Sequence, residues 1–235
     1  MIVHEKPLSW YVDKLKAEDY FSIGRYGDGA WIAIAGLSNG LPNAEGGIFT
    51  PEMGEALHKL LDYNSPSYYF SIPTNINRPE LSTVRQYAEA VTDREFLDCE
   101  VWDKQSRLGG LVPFIQQIQK MKTCIISNKQ LRKLSFLKYD HFIEIGYPNC
   151  FDEVDSVIEQ VKNIGGGCVY LVFAGQPAPI ITQQIHFLFS DVFALDVGSI
   201  WDAFIRIGSQ RGWRNELYAD DIQYAAWLDL YKDVL

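Results

Sequence analysis

The sequence predicts an α/β fold, a Rossmann-like and mostly parallel sheet flanked by helices on both faces. Three observations predict it. Four short runs in the second half, at 123–127, 141–146, 168–174 and 192–197, are apolar almost throughout. Segments at 128–134, 152–164 and 178–189, with apolar residues at helical spacing, separate them. The composition, with 47% hydrophobic and 22% charged residues over 235 positions, is that of a folded domain able to offset the entropy of ordering. Strands apolar on both faces that alternate with helices indicate βαβ units, hence a covered parallel sheet with right-handed crossovers. The chain reads as one domain, 1–235.

Taken in order, 7–16 carries Leu8, Tyr11, Val12 and Leu15 at helical spacing behind Pro7. A short apolar run then leads into Gly24-Arg25-Tyr26-Gly27-Asp28-Gly29. The stretch from Gly36 to Gly47, rich in Gly and Asn, is read as a surface connection in preference to a mobile lid. Thr50-Pro51-Glu52 has the form of an N-cap with Pro at the first helical position, opening a helix through Leu61. Residues 67–72 are aromatic and strand-like up to Pro73, and Pro79 opens a helix to about Val91. Gly165-Gly166-Gly167 is a helix stop ahead of a strand, and an amphipathic segment at 220–231 follows the last strand.

Composition also excludes. The net charge of −9 opposes a nucleic-acid-binding role, which rests on neutralising phosphates. Four cysteines without a C-x-x-C pair suit reduced, buried thiols, and four scattered histidines give no zinc pattern. The N-terminus lacks a signal-peptide pattern and no apolar run is long enough to span a bilayer, so a cytoplasmic location is expected.

Ligands of open parallel sheets bind beyond the strands' carboxyl ends. Three places qualify. In Gly175-Gln176-Pro177, the glycine admits close approach and the following helix start offers N–H groups to a phosphate; a loop shaped only for its own geometry is the alternative. Asp196-Val197-Gly198-Ser199 with Asp202 places carboxylates and a hydroxyl at a strand end, for a ligand, for base chemistry or for helix capping. The third is Arg25 to Gly29: a carboxylate suited to a divalent ion follows an arginine suited to a diphosphate, or the two form a structural ion pair. Weaker candidates are Asn149 after the strand at 141–146, and Trp102, Ser106 and Arg107, which read best as a solvated turn with one anchoring Trp.

The blocks Ser22-Ile23-Gly24-Arg25-Tyr26-Gly27-Asp28-Gly29, YPNCFDEVDSVI, YLVFAGQPAPIITQQI and ALDVGSIWD, in that order, resemble the GT-D-fold glycosyltransferases, formerly a domain of unknown function. The four blocks cover nearly the whole chain. The resemblance implies an enzyme that transfers a hexose from a nucleotide sugar, such as UDP-glucose, to a glycan, glycoprotein or small acceptor. It further implies a divalent metal, Mn2+ or Mg2+, held by an Asp-x-Glu pair. Carried over, Asp28 is a catalytic and metal residue. Arg25, Gly27, Gly29, Asn149, Gly175, Pro177, Asp196 and Gly198 bind the nucleotide sugar; Gln176 and Ser199, which the family pattern lacks, are read as joining them, and Asp202 is chosen as the candidate acceptor base. This chain departs from the pattern in three ways: Ala30 stands where the family has its second acid, Gln176 is an insertion in the glycine-proline turn, and Ser199 replaces a His. The alternatives are a non-catalytic nucleotide- or sugar-binding domain, and a transferase acting on nucleic-acid bases.

Overall fold

The computed structural model describes residues 1–37, 47–74, 82–148, 150–206 and 212–235. Its strands are β1 (Ile2–His4), β2 (Ser22–Arg25), β3 (Tyr68–Ile72), β4 (Glu95–Asp98), β5 (Thr123–Ser127), β6 (His141–Glu144), β7 (Val169–Phe173) and β8 (Phe193–Asp196). The helices are α1 (Leu8–Lys16), α2 (Asp28–Ile34), α3 (Pro51–Leu60), α4 (Ser82–Val91), α5 (Glu100–Arg107) and α6 (Val112–Ile118). They continue with α7 (Val154–Ile164), α8 (Ala178–Leu188), α9 (Gly212–Tyr218) and α10 (Asp221–Asp229).

The eight strands form one sheet in the order β1-β4-β3-β2-β8-β7-β5-β6, and every pairing is parallel. The all-apolar runs have the cause given above: successive residues of β7 enter opposite cores. Tyr170 and Val172 pack with α2, α3, α7 and α8, while Val169 and Leu171 pack with α1, α5, α6 and α10. Leaving β2 the chain steps towards β3, whereas β8 is reached from β7 on the other side. The β2/β8 border is therefore a topological switch point, where strand-end loops diverge and leave a crevice.

Local signals account for the element ends. Thr50 Oγ1 accepts the Met53 N–H at 3.2 Å, as an N-cap with Pro51 at the first position should. Gly165 ends α7 at φ +88°. The structure departs from the sequence pattern in other places. Residues 128–134 form a 3-10 helix, Lys129–Lys133, capped by Asn128 Oδ1, because its apolar positions Leu131 and Leu134 are three apart. Short strands β1 and β4 and helices α5, α6 and α9 add to the elements that patterning supplied. Trp102 and Ser106 lie buried on α5 and not in a solvated turn, with Ser106 Oγ donating to the Ile200 carbonyl at 3.1 Å. The Pro79 helix start and most of the 36–47 connection lie outside the described residues. All four cysteines are free and buried, and among the described residues no helix is long and apolar enough to cross a membrane.

Candidate active site

Strand β2 ends at Arg25, and the chain enters α2 within three residues: the Ala30 and Trp31 N–H groups donate to the Gly27 carbonyl at 3.1 and 3.3 Å. Tyr26, fully buried with its hydroxyl donating to the Leu57 carbonyl, anchors this turn from beneath. Asp28 is left exposed at the helix start, its Oδ1 accepting the Gly29 N–H at 2.9 Å.

Across the switch point, buried Asp196 at the end of β8 stitches two loops together. Its Oδ2 accepts the Arg25 backbone N–H at 3.0 Å and its Oδ1 accepts that of Gly198 at 3.2 Å. Burial pushes this carboxyl up to about 7, while Arg25 and the two N–H groups pull it back down. The Arg25 side chain folds over the same loop. A Cβ on Gly198 would meet the Arg25 guanidinium at 3.4 to 3.5 Å, and Gly198 also holds φ +64°, a conformation that glycine adopts without strain.

The guanidinium is steadied on its other side by the end of β4, where its Nε donates to Cys99 Sγ at 3.2 Å. Its terminal nitrogens have no hydrogen-bond partner among the described residues. Burial alone disfavours the charge, but Cys99, Asp196 and Asp28 outweigh it and hold Arg25 above its ordinary pKa. Burial pushes the Cys99 thiol up to about 11 against the pull of Arg25, so at neutral pH the sulfur is an uncharged acceptor for the guanidinium.

The third loop joins β7 to α8. Helix α8 packs across β2 and β8, and its approach depends on Gly24. A Cβ there would lie 3.2 Å from Pro179 Cα and collide with the Tyr68 hydroxyl, which itself donates to the Pro179 carbonyl at 3.0 Å. This docking brings Gly175 and Gln176 to the start of α2: a Cβ on Gly29 would sit 2.6 Å from Gln176 Nε2 and 3.3 Å from its Cγ. Asp28 and Gly175 thus flank one side-chain contact. Arg25, Gly27, Asp28, Gly29, Gly175, Gln176, Pro177, Asp196 and Gly198, spread over the whole chain, meet at one edge of the sheet.

Ser199 and Asp202 face a different neighbour. Arg214 on α9, with a fully buried side chain, donates to Ser199 Oγ at 3.2 Å and pairs with Asp202 Oδ2 at 3.3 Å and Asp103 Oδ1 at 3.3 Å. Sequence reasoning missed Arg214, which no local pattern marks, and read Cys99 only as a buried thiol. Asn149 lies outside the described residues. Ala30 is buried in the core beside Trp31, and among the described residues no group of three or more His, Cys, Asp or Glu is placed to hold a metal. The described residues therefore build no cage of their own for a divalent ion. The exposed Asp28 carboxylate is a single oxygen donor group of the kind that hard divalent ions take.

No family model and no curated protein matches the chain. Solved structures do. A new glycosyltransferase (DUF1792) from Streptococcus sanguinis is 17% identical, with 84% of this chain and 82% of that one covered at a TM-score of 0.61. The domain of unknown function 1792, described as having a distinct glycosyltransferase fold, is 14% identical, with 92% and 82% covered at 0.65. The chain has the fold of these proteins.

Proposed function

We propose that this chain, built on the fold that those glycosyltransferases use, moves a hexose from a nucleotide sugar to a hydroxyl of a glycan, glycoprotein or small acceptor. The observation that carries the reading is Arg25: a charged guanidinium, clamped at its Nε and backbone, whose terminal nitrogens have no partner among the described residues at the switch-point crevice. Sugar transfer breaks the bond from the anomeric carbon to the diphosphate, and the departing diphosphate needs charge stabilisation held ready in place. Arg25 supplies that charge by bidentate hydrogen bonds. Asp28 would hold a divalent ion, Mn2+ or Mg2+, together with the diphosphate; when bound, the ion neutralises the leaving group further. Asp202, one turn beyond Gly198 and oriented by Arg214, is assigned the acceptor's proton. Gly175 and Pro177 shape the third wall of the crevice.

Buried Ala30 favours one second reading, a domain that binds the nucleotide sugar without transferring it. A thermal-shift panel with UDP, GDP, CMP and dTDP, each with and without Mn2+, tests the binding half. A nucleotide at 100 times its dissociation constant adds about 2.7 kcal/mol, or about 5–10 °C in a chain of this size. Arg25→Met should abolish that shift, in a variant whose cooperative unliganded melt shows that it is folded. No shift with any nucleotide in the wild-type protein would sink both readings. Release of free nucleoside diphosphate on incubation with the matching sugar nucleotide and an acceptor separates transfer from binding.

A further inference from the structure

Gln176, on the β7–α8 loop at the switch point, packs on the first turn of α2, against Gly29. The side chain is partly buried, and its carboxamide has no hydrogen-bond partner among the described residues. Such an amide has two donors and an acceptor to offer a polar ligand. Its position says which part of the ligand it reads. The Arg25 guanidinium lies against Gly27, with Nη1 3.5 Å from where a Cβ would be, and Gln176 lies against Gly29, two residues further along the same turn. In a nucleotide sugar the hexose is bonded to one phosphate and the ribose to the other, whereas the base lies beyond the ribose; the bare diphosphate, which keeps the ribose and lacks the hexose, tells the two sugars apart in the titration below. A neutral amide beside the diphosphate anchor therefore meets the hexose hydroxyls before it can meet the base. A carboxamide also suits that partner, since it donates to one hydroxyl while accepting from its neighbour.

We propose that Gln176 is a specificity-determining residue that reads the hydroxyls of the transferred hexose. This rests on the transferase reading above. Gly29 is part of the device, because the absent Cβ is what lets the amide lie down at the start of α2. A methyl group there would push the flexible end of Gln176 away without changing its chemistry.

Calorimetric titration of the whole chain with UDP, UDP-glucose and UDP-galactose, and with GDP and GDP-mannose, tests it on wild type, Gln176→Ala and Gly29→Ala. Both variants should bind the bare diphosphate within about twofold of wild type. They should lose about tenfold for the preferred sugar conjugate, the worth of a lost hydrogen bond, so that the wild-type preference between glucose and galactose collapses. Gln176→Glu, which keeps an acceptor, should recover part of the preference. Equal loss for the diphosphate and its sugar conjugate would overturn the assignment, since Gln176 would then serve the diphosphate or the loop. Unchanged sugar preference in both variants would overturn it too. If wild type binds the diphosphates but discriminates no sugar, the proposal fails while the nucleotide site stands. If it binds no nucleotide at all, the transferase reading fails first and takes this one with it.

Discussion

At the scale of single residues, the crevice depends on how charge is distributed among Arg25, Asp196 and Cys99. Asp196 carries the clearest testable consequence. Its carboxyl is pushed up to about 7 in the folded protein, chiefly by burial, against about 3.9 in an unfolded chain. Between those values the folded state binds more protons than the unfolded one, so stability falls as pH rises from about 4 to 7. Thermal melts at a series of pH values should show that slope in wild type and a flatter profile in Asp196→Asn. The variant also loses one of two acceptors for buried N–H groups, which costs about 1–3 kcal/mol. An unchanged slope in the variant would mean that another group carries the titration. Arg25 and Asp196 stand out in the sequence because each is a charged residue within two positions of a glycine at the end of an apolar run. Cys99 was not legible, because its role comes from a neighbour that the chain places 74 residues away.

At the scale of elements, legibility follows burial. Strands β5 and β7 are buried almost completely and announce themselves as unbroken apolar runs. Strand β1 at the sheet edge has three residues with exposed ends, and β4 keeps only Phe96 and Leu97 between Glu95 and Asp98. Both exist because a neighbouring strand offers an open edge, which no window of sequence encodes. Helix α5 was missed for a related reason: Trp102 and Ser106 mark its buried side at i, i+4, and a serine reads as polar until its hydroxyl finds the Ile200 carbonyl. Helix α3 is the opposite case, being written locally by its cap. Replacing Thr50 with Ala should lower unfolding free energy by about 1 kcal/mol, measured by urea denaturation with unchanged m-value. No change in midpoint would show that Met53 N–H finds another acceptor.

At the scale of the whole molecule, the parallel α/β architecture was legible and the strand order was not. Alternation of strand and helix sets the class, but the seating of β2 beside β8, which creates the crevice, is a long-range choice made by packing. The Arg214 cluster is equally global, tying α9 to α5 and to the turn after β8 through Asp103, Asp202 and Ser199. Arg214→Leu should cost about 3 kcal/mol by removing a buried cation that Asp103 and Asp202 share, a fall of about 6–12 °C in melting temperature. A melting point within about 2 °C of wild type would show the cluster to be dispensable. The Arg25–Asp196 stitch joins positions 171 apart, and so has a meaning for synthesis as well as for architecture. A nascent chain that has emerged only as far as β6 already carries Arg25, Asp28 and Cys99, yet lacks Asp196, Gly198 and Gln176. Long-range parallel pairing is slow to form, and domains are completed as their last segments arrive. The pocket is thus silent for most of translation and assembles late, when β8 slots into the gap left for it between β2 and β7.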